Sequence, residues 1–128
     1  MLDSWLESQH RNNWQSGPSN VKKGEEWLKV IYGRNLPAID EKLSFHKDFH
    51  FLSREITYGL YLSDMTILDP IDTEMVVLSG IMIQNLPLAT RWHLRGMRRL
   101  GVVAEDVEMV QKCVSLLCSR PESSQRLT

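Results

Sequence analysis

Apolar residues recur at three- and four-residue intervals from residue 22 to residue 118, while alternating strand-like runs are few and irregular, so the pattern predicts helices throughout. A first helix is predicted over residues 22–32, stopped at Gly33, where a residue without Cβ can take the left-handed cap. A second is predicted over residues 40–62, with Phe45, Phe49, Leu52, Ile56 and Leu60 at helical spacing on its apolar face. Asp69-Pro70 marks a third start, because aspartate can cap free amides and proline lacks the donor that a first turn leaves unused. This helix should reach about Gln84. Asn85 and Pro87 interrupt it and begin a fourth that ends near Gly101, and residues 104–118 make a fifth. Short turns between the later helices imply antiparallel neighbours, hence an all-α bundle of about five to six helices with an antiparallel helical hairpin at its core.

The flanks differ in character. RNNWQSGPSN at residues 11–20 and SRPESSQRLT at residues 119–128 are polar and rich in turn formers. They divide the chain into a flexible or partner-packed leader over residues 1–21, a folded domain over 22–118 and a flexible tail over 119–128. Trp5 and Trp14 in the leader, with Trp27 near the start of the domain, could cover a neighbouring subunit.

With 128 residues, 42% of them hydrophobic, the chain can bury a core as one domain. A formal net charge of -1 argues against general attraction to nucleic acid, and Arg91, Arg95, Arg98 and Arg99 read as a solvated helix face. Cys113 and Cys118 form neither a C-x-x-C pair nor a metal framework and are expected to be reduced thiols. The start MLDSWLESQHRNNW lacks the basic-then-apolar pattern of a signal peptide. The longest apolar run, residues 75–83, is too short to span a bilayer and is interrupted by Ser79 and Gly80. A soluble cytoplasmic protein without a membrane partner is therefore expected.

The candidate chemistry begins at LPLATRWHLRGMRRLG, residues 86–101. Leu86, Ala89, His93, Gly96, Met97 and Leu100 share one face, which turns His93 inward, and small Ala89 and Gly96 leave room beside it for a packed helix or a small ligand. On the preceding helix Glu74 lies in register with Val77, Leu78 and Ile81, where a carboxylate is costly unless paired. Contact between Glu74 and His93 could be made within one chain or across a subunit boundary. Such a pair suits acid–base work, since a carboxylate fixes the imidazole tautomer and raises its basicity, and it equally suits a polar core pair with no substrate. Arg91 and Arg95 are either anion contacts at a pocket rim or solvated. His46 and His50, four apart, have the minimum geometry for two metal ligands, but no third ligand is specified and no metal is predicted. Glu55 and Tyr58 could hydrogen-bond a ligand or each other, and Tyr58 could instead fill the seam beside Gly59.

Four stretches together resemble the carboxymuconolactone decarboxylase family, whose superfamily also holds the AhpD-type alkylhydroperoxidases, over roughly residues 22–118. GEEWLKVIYG (24–33) resembles the decarboxylase branch's opening helix and glycine turn. REITYGLYLS (54–63) matches its glutamate, aromatic and glycine helix at Glu55, Tyr58 and Gly59. LDPIDTEMVVLSGIMI (68–83) matches at Asp69, Pro70 and Glu74, with Thr73 where arginine is usual. TRWHLRGMRRLGVVAEDVEMV (90–110) resembles the signature histidine helix through His93, Gly101, Glu105 and Asp106. Leu86 and Ala89 stand where the peroxidase branch carries its two cysteines, so thiol-based peroxide reduction is not expected.

The resemblance implies an AhpD-like bundle that assembles as a homotrimer or homohexamer. It also implies a cofactor-independent, non-redox lyase that decarboxylates, isomerises or cyclises a conjugated carboxylated ring compound, such as an aromatic polyketide intermediate or a carboxymuconolactone-like acid. His93 would be the acid/base, Glu74 its orienter or a second proton carrier, Glu55 and Tyr58 pocket hydrogen-bonders, and Arg91 and Arg95 substrate contacts. The loss of arginine at position 73 implies a changed anion geometry or an uncharged substrate. A noncatalytic oligomeric binding or scaffold protein retaining the fold is the alternative.

Overall fold

The computed structural model describes residues 17–119, and among these it contains helices and turns but no strand. The predicted leader up to residue 16, with Trp5 and Trp14, and the tail from residue 120 lie outside the described residues.

Helix α1 spans Pro18–Tyr32. It begins at Pro18 rather than at residue 22 because proline supplies a helical φ and lacks an amide that the first turn would leave unpaired, while Gly17 turns the chain into it at φ 141°. Residues 18–21, assigned to the leader from sequence, are thus the first turn of α1, and Asn20 is buried. The predicted stop holds: Gly33 takes φ 51° and its N–H returns to Lys29 O.

A single 3₁₀ turn, Gly33–Asn35, leads into α2, Leu36–Ser44. The continuous helix predicted over residues 40–62 is corrected here. The chain breaks at His46, with φ -127° and ψ 89°, and resumes as α3, Lys47–Phe51, which runs on as a π-helical segment, Leu52–Leu62. Its hydrogen bonds step five residues instead of four. The break at His46 separates Phe45 from Phe49, and both are exposed together with Leu52, where the π winding begins; Ile56 and Leu60, the other members of the predicted stripe, are half-buried.

Glycine permits a close backbone approach between α1 and the π segment. A Cβ on Gly24 of α1 would lie 2.2 Å from Arg54 O, and one on Gly59 of the π segment would lie 2.4 Å from Asn20 O, so the two backbones cross in direct contact. Arg54 clamps the same crossing. Its Nη1 donates to Glu25 Oε1 at 2.5 Å and its Nη2 to Asp40 Oδ2, tying the π segment to α1 and α2.

Helix α4, Pro70–Ile83, starts as predicted, with Asp69 Oδ1 accepting from the amides of Ile71 and Asp72, both at 2.8 Å. Such a cap is worth about 1 kcal/mol. Helix α5, Pro87–Arg99, follows a tight turn in which Asn85 takes φ 54°. Helix α6, Ala104–Cys118, has its predicted bounds. Leu78, Met97 and Val107 form the core of this three-helix half, with Met82, Leu94, Val102 and Val110 packed around them. Trp27, Leu28 and Ile31 of α1 with Leu36 are the buried apolar residues of the other half. Helix α5 joins the halves, its Gly96 lying against Ile31. No described helix is long and apolar enough to cross a membrane.

Candidate functional site

A row of polar atoms runs through the seam between the two halves. Helix α4 supplies Glu74 and α5 supplies His93, each 1% exposed. Glu74 Oε1 and His93 Nδ1 are 2.6 Å apart, so the contact that the sequence left open is made within one chain. The other ring nitrogen, Nε2, lies 3.1 Å from the hydroxyl of Tyr32, the last residue of α1. That hydroxyl lies 2.7 Å from the hydroxyl of Tyr58, carried by the π segment beside Gly59. The glycine crossing of α1 and the π segment holds together the two elements that carry these phenols.

Aromatic packing fixes the row sideways. The Tyr32 ring is edge-on to Tyr58, Trp92 and His93, with centroid separations of 6.1, 5.6 and 5.3 Å. Tyr32 is the residue that sequence reasoning missed. It follows Ile31 on a helix whose buried residues include Trp27 and Leu28, and nothing in the local pattern distinguishes its phenol from a core aromatic.

Burial dominates the electrostatics. It pushes the Glu74 carboxyl above its ordinary value of 4.5, against the opposing hydrogen bond and charge of His93. Burial also raises Tyr32, with the Tyr58 hydrogen bond opposing and the Glu74 charge adding. Tyr58 is raised by burial first and then by Tyr32 and Glu74. Both phenols therefore stay protonated and act as hydroxyl donors and acceptors. Glu74 Oε2 is buried with no hydrogen-bond partner among the described residues.

Proton counting shows what the row can do. With Glu74 ionised, Nδ1–H donates to the carboxylate, Nε2 accepts from Tyr32, and Tyr32 accepts from Tyr58. Adding one proton at the Tyr58 oxygen reverses every donor in turn and leaves the new proton on Glu74. The same path run backwards delivers a proton at Tyr58.

The remaining predicted residues stand elsewhere. Glu55 is half-buried and lines a groove of about 490 Å³ with Pro18, Val21, Lys22 and Glu25. Arg91 is exposed and lies two positions from His93, hence on the opposite side of α5. It lines a groove of about 570 Å³ with Leu86, Leu94, Gln111 and Ser115. Arg95 is exposed. Thr73 is buried, and its hydroxyl donates to Met65 Sδ at 3.8 Å. Cys113 and Cys118 are exposed free thiols. His46 is exposed with its ring edge-on to Phe49, and among the described residues no group of three or more His, Cys, Asp or Glu side chains is placed to hold a metal ion.

No protein-family model, curated protein or solved structure matches this chain.

Proposed function

We propose that the chain is a cofactor-independent, non-redox lyase of the decarboxylase type, built on an AhpD-like bundle, that decarboxylates or isomerises a conjugated carboxylated ring compound. The observation that carries this reading is the unbroken row from Tyr58 through Tyr32 and His93 to Glu74. In decarboxylation the bond between the carboxyl carbon and the ring breaks, carbon dioxide leaves, and the bonding electrons enter the conjugated carbonyl as an enolate. The enolate carbon then takes a proton, which the row supplies from its half-buried tyrosine end and recovers from water. Positioned acid–base groups of this kind contribute about 10²–10⁴-fold in rate. Glu55, Arg91 and Arg95 add nothing to the reading in a single chain, because they line other surfaces.

Assembly into a homo-oligomer belongs to the same proposal. Helix α4 is apolar nearly all round, yet Val76 is 63% and Ile83 66% exposed in the single chain. A helix of that character is normally buried on every side.

The test is incubation of the purified protein in D₂O with conjugated keto and lactone carboxylic acids, following carbon dioxide release and deuterium incorporation at carbon by NMR. His93→Gln should lower both at least about 10²-fold while leaving assembly unchanged. Neither signal from the wild type with any acid of the panel, or full turnover by the variant, would overturn the reading. A noncatalytic oligomeric binding module is favoured by a different observation, the near-complete burial of His93 and Glu74. That module predicts normal assembly and no turnover in both proteins.

A further inference from the structure

We propose that Arg99 is a positioning residue, which sets the Tyr32 hydroxyl against His93 by holding the carbonyl end of α1. Its catalytic meaning rests on the functional reading above; the coupling itself rests on geometry alone. Helix α1 ends at Tyr32, so its last carbonyls lack partners within the helix. Lys29 O takes the Gly33 N–H. Ile31 O accepts from Arg99 Nη1 at 2.6 Å, and Val30 O lies 3.4 Å from the same nitrogen. From the last position of α5, the Arg99 guanidinium stands at the negative end of α1, where a cation is favoured.

The surroundings are shaped to this contact. A Cβ on Gly33 would lie 2.9 Å from Arg99 Cζ and Nη2, so glycine at the α1 stop leaves the guanidinium its place. About one turn earlier on α5, a Cβ on Gly96 would lie 3.1 Å from Ile31 Cδ1 and 3.2 Å from Ile31 Cα. Helix α5 therefore grips Ile31 twice, through its side chain at Gly96 and through its carbonyl at Arg99. The next residue is Tyr32, whose hydroxyl lies 3.1 Å from Nε2, near the long end of a good hydrogen bond. A displacement of the α1 terminus by a few tenths of an ångström is enough to weaken it. Lysine is no equivalent, because a flexible ammonium lacks the planar guanidinium whose Cζ and Nη2 face Gly33 while Nη1 reaches Ile31 O.

The experiment reads the imidazole directly. Long-range ¹H–¹⁵N NMR of the full-length protein gives the His93 Nε2 and Nδ1 shifts in wild type, Tyr32→Phe, Arg99→Ala, Arg99→Lys and the Tyr32→Phe/Arg99→Ala double variant. Tyr32→Phe should move Nε2, and Arg99→Ala should move it in the same direction by at least half as much. In the double variant Arg99→Ala should add nothing, since residues acting through one contact are not additive. Arg99→Lys should fall between wild type and Arg99→Ala, and it carries the test if Arg99→Ala does not fold. An unmoved Nε2 in the folded Arg99 variants, or full additivity in the double variant, would overturn the proposal. Failure to find turnover would sink the lyase reading and leave this result intact.

Discussion

Glu74 Oε1 and His93 Nδ1 meet at 2.6 Å with each side chain 1% exposed, so neither group can exchange its partner for water. Removing one member of such a buried pair costs about 3–5 kcal/mol, because the other is left without compensation. Glu74→Ala and His93→Ala should therefore lower unfolding free energy by about that much. Glu74→Gln retains an acceptor for Nδ1–H and should cost less, about 1–3 kcal/mol. Urea unfolding monitored by far-UV circular dichroism checks both values; equal losses for Glu74→Gln and Glu74→Ala would contradict the hydrogen-bond assignment.

The raised carboxyl makes a signed prediction about pH. Above the ordinary value of 4.5 the folded protein still holds the Glu74 proton that the unfolded chain has released. The stability this contributes is full below pH 4.5 and is lost as pH rises through the higher folded value. Glu74→Gln should flatten the profile in that window. Tyr32 and Tyr58, both raised, act in the same sense at the alkaline end, where stability should fall above pH 10.0 as the unfolded phenols ionise first. Tyr58→Phe should make that fall shallower, measured as urea midpoints at closely spaced pH.

Glycine substitutions should divide by their surroundings. Gly24→Ala and Gly59→Ala drive a Cβ into backbone at 2.2 and 2.4 Å, which no rotamer change relieves. Each should cost about 3 kcal/mol and separate Tyr58 from Tyr32. Gly80→Ala, inside α4 with nothing within 4 Å, should stabilise by about 0.5–1 kcal/mol through helix propensity. Thermal unfolding of the three variants side by side decides it, and a tolerated Gly24→Ala would remove the basis for the tight crossing.

The proposed assembly is checked at α4. Val76→Glu and Ile83→Lys place charges on side chains that are 63% and 66% exposed in the single chain, so the monomer should fold normally. Analytical ultracentrifugation should show an oligomer for the wild type and its dissociation for both variants. An unchanged sedimentation profile would move the interface away from this helix.

Terminal chemistry was the most readable part of the fold. The Asp69-Pro70 start and the Gly33 stop follow from residues whose effect is local, and α6 has the bounds read from its sequence. The inward turn of His93, Gly96 and Met97 follows from α-helical spacing, and all three are buried. Leu86, predicted on the same face, is 45% exposed because it sits at the turn before Pro87, outside the helix. The site itself was half readable. Glu74 and His93 could be named, but their meeting depends on how α4 and α5 fold back on each other, which periodicity does not encode. Tyr32 was silent because its role exists only through residues 26 and 61 positions away. The winding of residues 52–62 was hidden for a related reason: the segment packs directly against α1, and apolar spacing alone reads it as an ordinary helix.

Wide coils are rare because the α form is the better default, so the winding that carries Tyr58 is held from outside by the Arg54 clamp and by the glycines at the crossing. Loosen that grip and the coil can rewind, swinging the phenol around the axis and away from its partner. The outermost link of the row is thereby held by two ion pairs and a glycine crossing that touch none of its members, and its place is a matter of torsion before it is one of protons.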